Sequence, residues 1–267
     1  MFKTRLISGI VLVALALFFI CTGGTVLLNV MLVLSLIGMF ELYRIFKVEN
    51  TILMALGAAA CCAYYINLKF HYIDDVMVIM LAFLIALLAV YVFAYPKYNA
   101  HQIMAAFFGL FYVGVMLSFL YQTRMLEMGQ FIVWLIFLCS WGCDTCAYCV
   151  GVLFGKHKMS PLLSPKKSIE GAVGGVVGAM LLTALYCVII SKVFAIEEFA
   201  ILPLVCISGV GALISMVGDL AASAIKRNFD IKDYGKLIPG HGGVLDRFDS
   251  IIITAPLVYF LAYYIYL

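Results

Sequence analysis

Apolar residues in this chain come in long runs, not in the alternation of half-buried helices and strands. Runs near the length of a membrane span recur nine times, at 6–22, 25–43, 52–68, 76–95, 103–122, 130–150, 171–193, 199–222 and 250–267. About 20 such residues are needed for a helix to cross the hydrocarbon core of a bilayer. Inside lipid every backbone N–H and C=O must be satisfied within its own segment, which favours helices over irregular chain. The pattern predicts an all-α integral membrane protein of about nine transmembrane helices. The first run follows Lys3 and Arg5 and imitates a secretory leader. It lacks a small-residue cleavage pattern, and a second run opens just after Gly23 and Gly24, so it is expected to stay as the first helix.

Composition supports the same class. Hydrophobic residues make up 66% of the 267 and charged residues only 12%, with a mean hydropathy of +1.14. A soluble domain carries about a quarter charged residues. With the N-terminus inside, 14 of the 17 basic residues fall in cytoplasmic segments. Only Lys69, Arg124 and Lys192 fall outside, which satisfies the positive-inside rule. Nine spans then put the C-terminus outside, and loops 151–170 and 223–249 face the cytoplasm in a cell (plasma) membrane. The net charge of +3 belongs to this topology and calls for no nucleic acid. Two regions are expected: residues 1–122, five spans with little specific signal, and residues 123–267, four spans with a polar cleft open to the cytoplasm.

Small and sulfur-bearing residues read as packing. Cys143, Cys146 and Cys149 have ligand-like spacing, but neither a second CxxC nor a histidine pair accompanies them. The seventh run carries Gly171, Gly175 and Ala179 on one row and Gly174 and Gly178 beside it. This is the small-xxx-small spacing that lets membrane helices approach closely. No strand precedes it, as a dinucleotide fold would need.

Chemistry is expected where charge interrupts the apolar pattern. Asp144 and Asp219 lie inside predicted spans, where an acid costs about 2.5–3.5 kcal/mol at the centre and marks a cavity or a partner. Ser215, Asp219, Ser223 and Lys226 follow at steps of four, four and three, a polar stripe down one helix. The segment from Ser223 to Asp249 adds Arg227, Lys232, Lys236 and Arg247, with His241 between Gly240 and Gly242–Gly243, and the acids Asp246 and Asp249. Cations, glycine backbone and paired carboxylates together suit a polyphosphate carried with a divalent metal, since Mg²⁺ takes one or two carboxylates plus substrate phosphates. Lys166 and Lys167, beside Ser164 and Ser168, serve either as topology signals or as phosphate ligands at a helix start.

The motif Ser223-x-Ile225-Lys226-Arg227, four residues, Lys232-Asp233-x-Gly235, then Pro239-x-His241-Gly242-Gly243-Val244-x-Asp246-Arg247-x-Asp249 resembles the signature of the CDP-diacylglycerol synthase (phosphatidate cytidylyltransferase) family. Asp144-x-x-Ala147-Tyr148, Gly151, Phe154-Gly155-Lys156 and Ser164-Pro165-Lys166-Lys167 resemble the family's middle region. Ser168 and Ile169 depart from it, standing where Thr and an aromatic residue are expected. The motifs cover the C-terminal half; the first 120 residues share only hydrophobicity with the family.

The resemblance implies transfer of the cytidylyl group of CTP to phosphatidate, giving CDP-diacylglycerol and pyrophosphate, in a Mg²⁺-dependent, homodimeric membrane enzyme using one or two metal ions. On this reading Asp219, Asp246, Lys226 and His241 are catalytic. Asp144, Asp219, Asp246 and Asp249 are the metal set. Ser164, Lys166, Lys167, Ser223, Arg227, Lys232, Gly242, Gly243 and Arg247 bind substrate phosphates. A CTP-dependent transferase acting on another lipid would share this metal logic. An ion-coupled transporter would show repeated halves, whereas here the polar residues crowd into the C-terminal half.

Overall fold

The computed structural model describes residues 2–196 and 200–266, with side chains over 7–196 and 200–265. Among the described residues the chain forms nine helices: α1 (Phe2–Thr22), α2 (Gly24–Ile45), α3 (Ile52–Phe70), α4 (Met77–Phe93), α5 (Ala100–Met125), α6 (Gly129–Phe154), α7 (Ile169–Phe194), α8 (Ile201–Asn228) and α9 (Leu245–Tyr266). Each predicted apolar run falls on one of them. Positions 199 and 267, and the side chains of Lys3 and Arg5, lie outside the described residues.

Among the described residues seven helices are long and apolar enough to cross a membrane, and Met77–Phe93 is a shorter apolar helix. At 1.5 Å per residue α4 spans about 25 Å, short of a ~30 Å hydrocarbon core. The protein is an integral membrane protein. Helix α7 shows the lipid-facing pattern directly. Its Gly171, Gly175, Ala179, Thr183 and Cys187 are buried, while Val173, Val177, Leu181 and Leu185 are exposed on the opposite face.

Two expectations about loops change. The polar segment predicted at 223–249 is helical at both ends, so the irregular chain between α8 and α9 is only 229–244. Lys226 and Arg227 extend α8 because cations in a last turn meet the negative end of the helix dipole. The region after α6 folds into a hairpin, a small exception to the all-α expectation. Strand β1 (Lys158–Ser160) pairs antiparallel with β2 (Ser164–Ser168), in register Lys158↔Ser168 and Ser160↔Ser164. Helix α7 starts from that strand, with the Ser168 side chain accepting from Gly171 N. This is an N-cap that satisfies one of the helix's open donors.

The chain divides into two compact units, Met1–Tyr121 with Asp233–Arg247, and Gln122–Lys232 with Phe248–Leu267. In the first, Leu27, Met39, Leu42, Tyr43, Leu53, Tyr65 and Leu110 are fully buried. Their polar atoms are paired, with Tyr43 Oη donating to Ala106 O and Ser35 Oγ bonding Tyr65 Oη at 2.8 Å. In the second, α6 and α7 meet through the predicted small residues. A Cβ added at Gly174 would stand 2.5 Å from Val150 Cβ, and one at Gly178 would stand 2.5 Å from Cys146 Cβ. Cys143, Ala179, Ala212 and Met216 form the core beside them. The described cysteines are all free, and Cys143 and Cys146 pack against glycines.

Candidate active site

In the second unit three acids come from three helices. A wide π-helical turn over Leu138–Gly142 precedes Asp144 in α6. Such turns are one-residue expansions of a helix that often mark functional positions. Asp219 sits in α8 and Asp249 in α9. These two helices meet closely at Gly218, where an added Cβ would lie 3.0 Å from Asp249 O. Asp249 is within electrostatic reach of Asp219, Lys226 and Asp144. The stripe predicted on α8 is present as a gradient: Ser215 is fully buried, and Asp219, Ser223 and Lys226 are half-buried.

Lys167, at the end of the hairpin, forms an ion pair with Asp219 Oδ2, and both side chains are about a quarter exposed. The pair borders a cavity of about 590 Å³. Polar groups on its wall include Asp144, Lys158, Ser164, Lys166, Lys167 and Asp219, with Tyr148 and Ser168; Ala147, Val152, Met159, Ala172 and Met216 line the apolar part. A second cavity of about 210 Å³ is lined by Ser164, Lys166, Ser223, Lys226, Arg227 and Lys232, four cations with two hydroxyls and no acid. One pocket thus combines acids and lysines with an apolar wall, and the charged groups of the other, which also includes Leu163 and Pro165, are all cations. Glu170 shapes the approach to the hairpin. Its carboxylate accepts Lys156 N and His157 N and meets His157 Nδ1 at 2.6 Å.

The first unit holds the glycine segment. Asp246 is 6% exposed, and its Oδ2 accepts Tyr234 N at 2.7 Å and Gly243 N at 2.9 Å. Gly242 has φ +87, a left-handed conformation open to glycine, and a Cβ there would stand 2.7 Å from Asp246 Oδ2. Gly240 is likewise at φ +78. Arg247 Nε donates to His241 O at 2.9 Å. His241 Nδ1 is buried without a hydrogen-bond partner, a costly state that a bound ligand would relieve.

The structure therefore gathers Asp144, Asp219, Asp249 and Lys226 by electrostatic reach, and Ser164, Lys166, Lys167, Ser223, Arg227 and Lys232 around two cavities. It sets His241, Gly242, Gly243, Asp246 and Arg247 together in the other unit. Sequence reasoning passed over Glu170, Lys158 and, on α2, Glu41 and Arg44. The Glu41 carboxylate accepts Val244 N and Leu245 N, and Arg44 Nη2 donates to Tyr234 O. The signal for Glu41 was present: it is an acid inside an apolar run, as Asp144 and Asp219 are.

Among the described residues no three His, Cys, Asp or Glu side chains converge as a complete metal site. Mg²⁺ does not need one, because it keeps several waters and takes one or two carboxylates with substrate phosphates. The acids of the second unit fit that use. Asp249 lies within electrostatic reach of both Asp219 and Asp144, a crowding of carboxylates that positive charge would relieve, and Lys167 supplies a cation at Asp219 Oδ2.

The fold is that of a polytopic membrane protein whose second unit carries cavities lined by acids, lysines and an arginine. The chain belongs to the cytidylyltransferase family, whose model matches residues 3–265. It is 33% identical over 260 residues to the phosphatidate cytidylyltransferase of Staphylococcus epidermidis, covering 96% of this chain and 97% of that protein. Identity to the phosphatidate cytidylyltransferase of Staphylococcus aureus is 34% over 262 residues, again 96% and 97% of the two chains. The Staphylococcus saprophyticus phosphatidate cytidylyltransferase is 39% identical over 147 residues, about half of each chain (55% and 54%).

Proposed function

We propose that this enzyme transfers the cytidylyl group of CTP to phosphatidate, releasing CDP-diacylglycerol and pyrophosphate. The carrying observation is the Lys167–Asp219 pair at the border of an apolar-walled cavity, next to a purely cationic one. A lipid phosphate needs the first kind of pocket and a polyphosphate the second. The names of the relatives in Staphylococcus agree with this choice of substrates.

A phosphate monoester oxygen of phosphatidate attacks the α-phosphorus of CTP; the α–β anhydride bond breaks and pyrophosphate leaves with its electron pair. The monoester is largely ionised near neutrality, its second pKa being about 6, so no general base is required. The obstacle is bringing one anion against another, and it is met by positioning and charge neutralisation. Lys166 and Lys167 hold the lipid phosphate. Lys226, Arg227 and Lys232, with Ser164 and Ser223, hold phosphates of the nucleotide. Backbone N–H groups of Gly242 and Gly243, together with Arg247, are assigned to triphosphate oxygens, and His241 donates a hydrogen bond to the leaving pyrophosphate. Mg²⁺ supplies charge stabilisation across the phosphates when bound, as one or two ions. Asp219 would hold it, with Asp144 and Asp249 as partner carboxylates. Asp246, whose Oδ2 accepts Tyr234 N and Gly243 N, would be a further carboxylate for the metal.

The same reading places the N-terminus, both basic segments and the active site on the cytoplasmic side of the cell membrane, and makes the working unit a homodimer. The test is direct: purified protein, radiolabelled CTP, phosphatidate and Mg²⁺. A nucleotide-bearing lipid and an equal amount of pyrophosphate are expected. Absence of that lipid across several phosphatidates overturns the assignment, and product only with a different lipid acceptor moves it to the neighbouring class of transferases.

A further inference from the structure

Glu41 is a buried acid that the proposed chemistry leaves unused. It lies on α2, 4% exposed, in the part of the chain with no motif. Both of its oxygens are engaged: Oε1 accepts Val244 N at 3.0 Å and Oε2 accepts Leu245 N at 2.9 Å. These N–H groups stand at the start of α9, where the helix supplies no acceptors of its own. A carboxylate there also faces the positive end of the helix dipole.

The neighbouring glycines are fitted to this carboxylate. A Cβ at Gly235 or at Gly243 would collide with it. One turn along α2, Arg44 donates to Tyr234 O, and the N–H of the same Tyr234 goes to Asp246 Oδ2. Helix α2 thus holds the glycine segment at both ends, at Tyr234 through Arg44 and at Val244–Leu245 through Glu41. Between those ends lie His241, Gly242 and Gly243, followed by Asp246 and Arg247.

We propose that Glu41 is a positioning residue for cytidylyl transfer. It fixes the register of the 235–243 segment and the first turn of α9, so that His241, the glycine N–H groups and Arg247 meet the triphosphate in one geometry. The role rests on the function proposed above. Glu41 touches no substrate and acts through the backbone of residues that do.

The demand for two acceptors gives the discriminating variant. Glu41→Gln keeps size and shape but offers one acceptor, and turns an NH₂ donor toward the second N–H. In purified enzyme the expected result is a KM for CTP raised about ten-fold or more, with the KM for phosphatidate changed less than about two-fold. A residue serving only the fold would lower the active fraction or the melting temperature and leave both KM values alone; that outcome overturns the proposal. So does aggregation of both Glu41→Gln and Glu41→Asp, because Glu41 would then serve folding. The wild-type control separates the two readings: no nucleotide lipid from wild type overturns the function itself. An active wild type matched by Glu41→Gln overturns the positioning role alone.

Discussion

Asp219 and Asp246 meet opposite kinds of partner. Asp219 Oδ2 faces the Lys167 ammonium, whereas Asp246 Oδ2 faces two backbone N–H groups. Replacement by Asn therefore asks a different question at each. At Asp219 the loss of charge removes both the ion pair and the proposed metal ligand. Turnover should fall by two or more orders of magnitude, about 2.7 kcal/mol of barrier, with yield near wild type. At Asp246 an Asn carbonyl oxygen can still accept from Tyr234 and Gly243, so the segment keeps its shape while the charge goes. If that charge matters to the reaction, activity should again fall by about a hundred-fold, and raised Mg²⁺ or Mn²⁺ should recover part of it. A helix-terminal charge alone would cost under about 1 kcal/mol, read as stability. Well-expressed Asp246→Asn enzyme with more than about half of wild-type kcat/KM rules out the charge role.

Helix packing decides where these residues can stand. Helices α6 and α7 approach so closely that Gly178 leaves no room for a Cβ beside Cys146. Gly178→Leu should cost about 1–3 kcal/mol by overpacking and lower the melting temperature of the solubilised protein. Cys146→Gly in the same chain should return part of that loss; no recovery would show that the strain lies elsewhere. At the end of α8, Lys226 and Arg227 combine two roles, as cations at a helix C-terminus and as walls of the cationic cavity. Alanine at either should raise KM for CTP or phosphatidate and lower turnover, since a charge-assisted bond contributes about 1.5–3 kcal/mol. Unchanged kcat/KM for both substrates in both variants would leave only the helix-terminal role.

The whole molecule must present its basic segments to a soluble nucleotide while keeping its helices in lipid. The proposed orientation puts 14 of 17 basic residues on the cytoplasmic side, as the positive-inside rule favours. A cysteine placed at exposed position 236 should react with a membrane-impermeant thiol reagent in inside-out vesicles and stay unlabelled in sealed cells, with the unsubstituted chain as control. Labelling from outside in sealed cells would overturn the orientation.

Apolar run length by itself determined the helices, because lipid leaves a spanning backbone few alternatives to a helix. Each predicted run became one helix, and the small residues of α7 were legible as a packing face because helix periodicity puts Gly171, Gly175 and Ala179 on one row. The concentration of charge around Asp144, Asp219 and the 223–249 segment was legible for a related reason: polar groups in an apolar chain stand out by their cost. Partnership was not legible. Nothing in spacing says that Lys167 would meet Asp219, that Asp246 would take Gly243 N, or that Glu41 would cap a helix more than 200 residues away. Those pairings depend on how separate helices pack, and local periodicity carries no information about distance between segments remote in the chain. Even the glycines changed meaning: Gly243, read as open backbone for a triphosphate, proves together with Gly235 to be room for the Glu41 carboxylate, a constraint visible only once α2 lies against them.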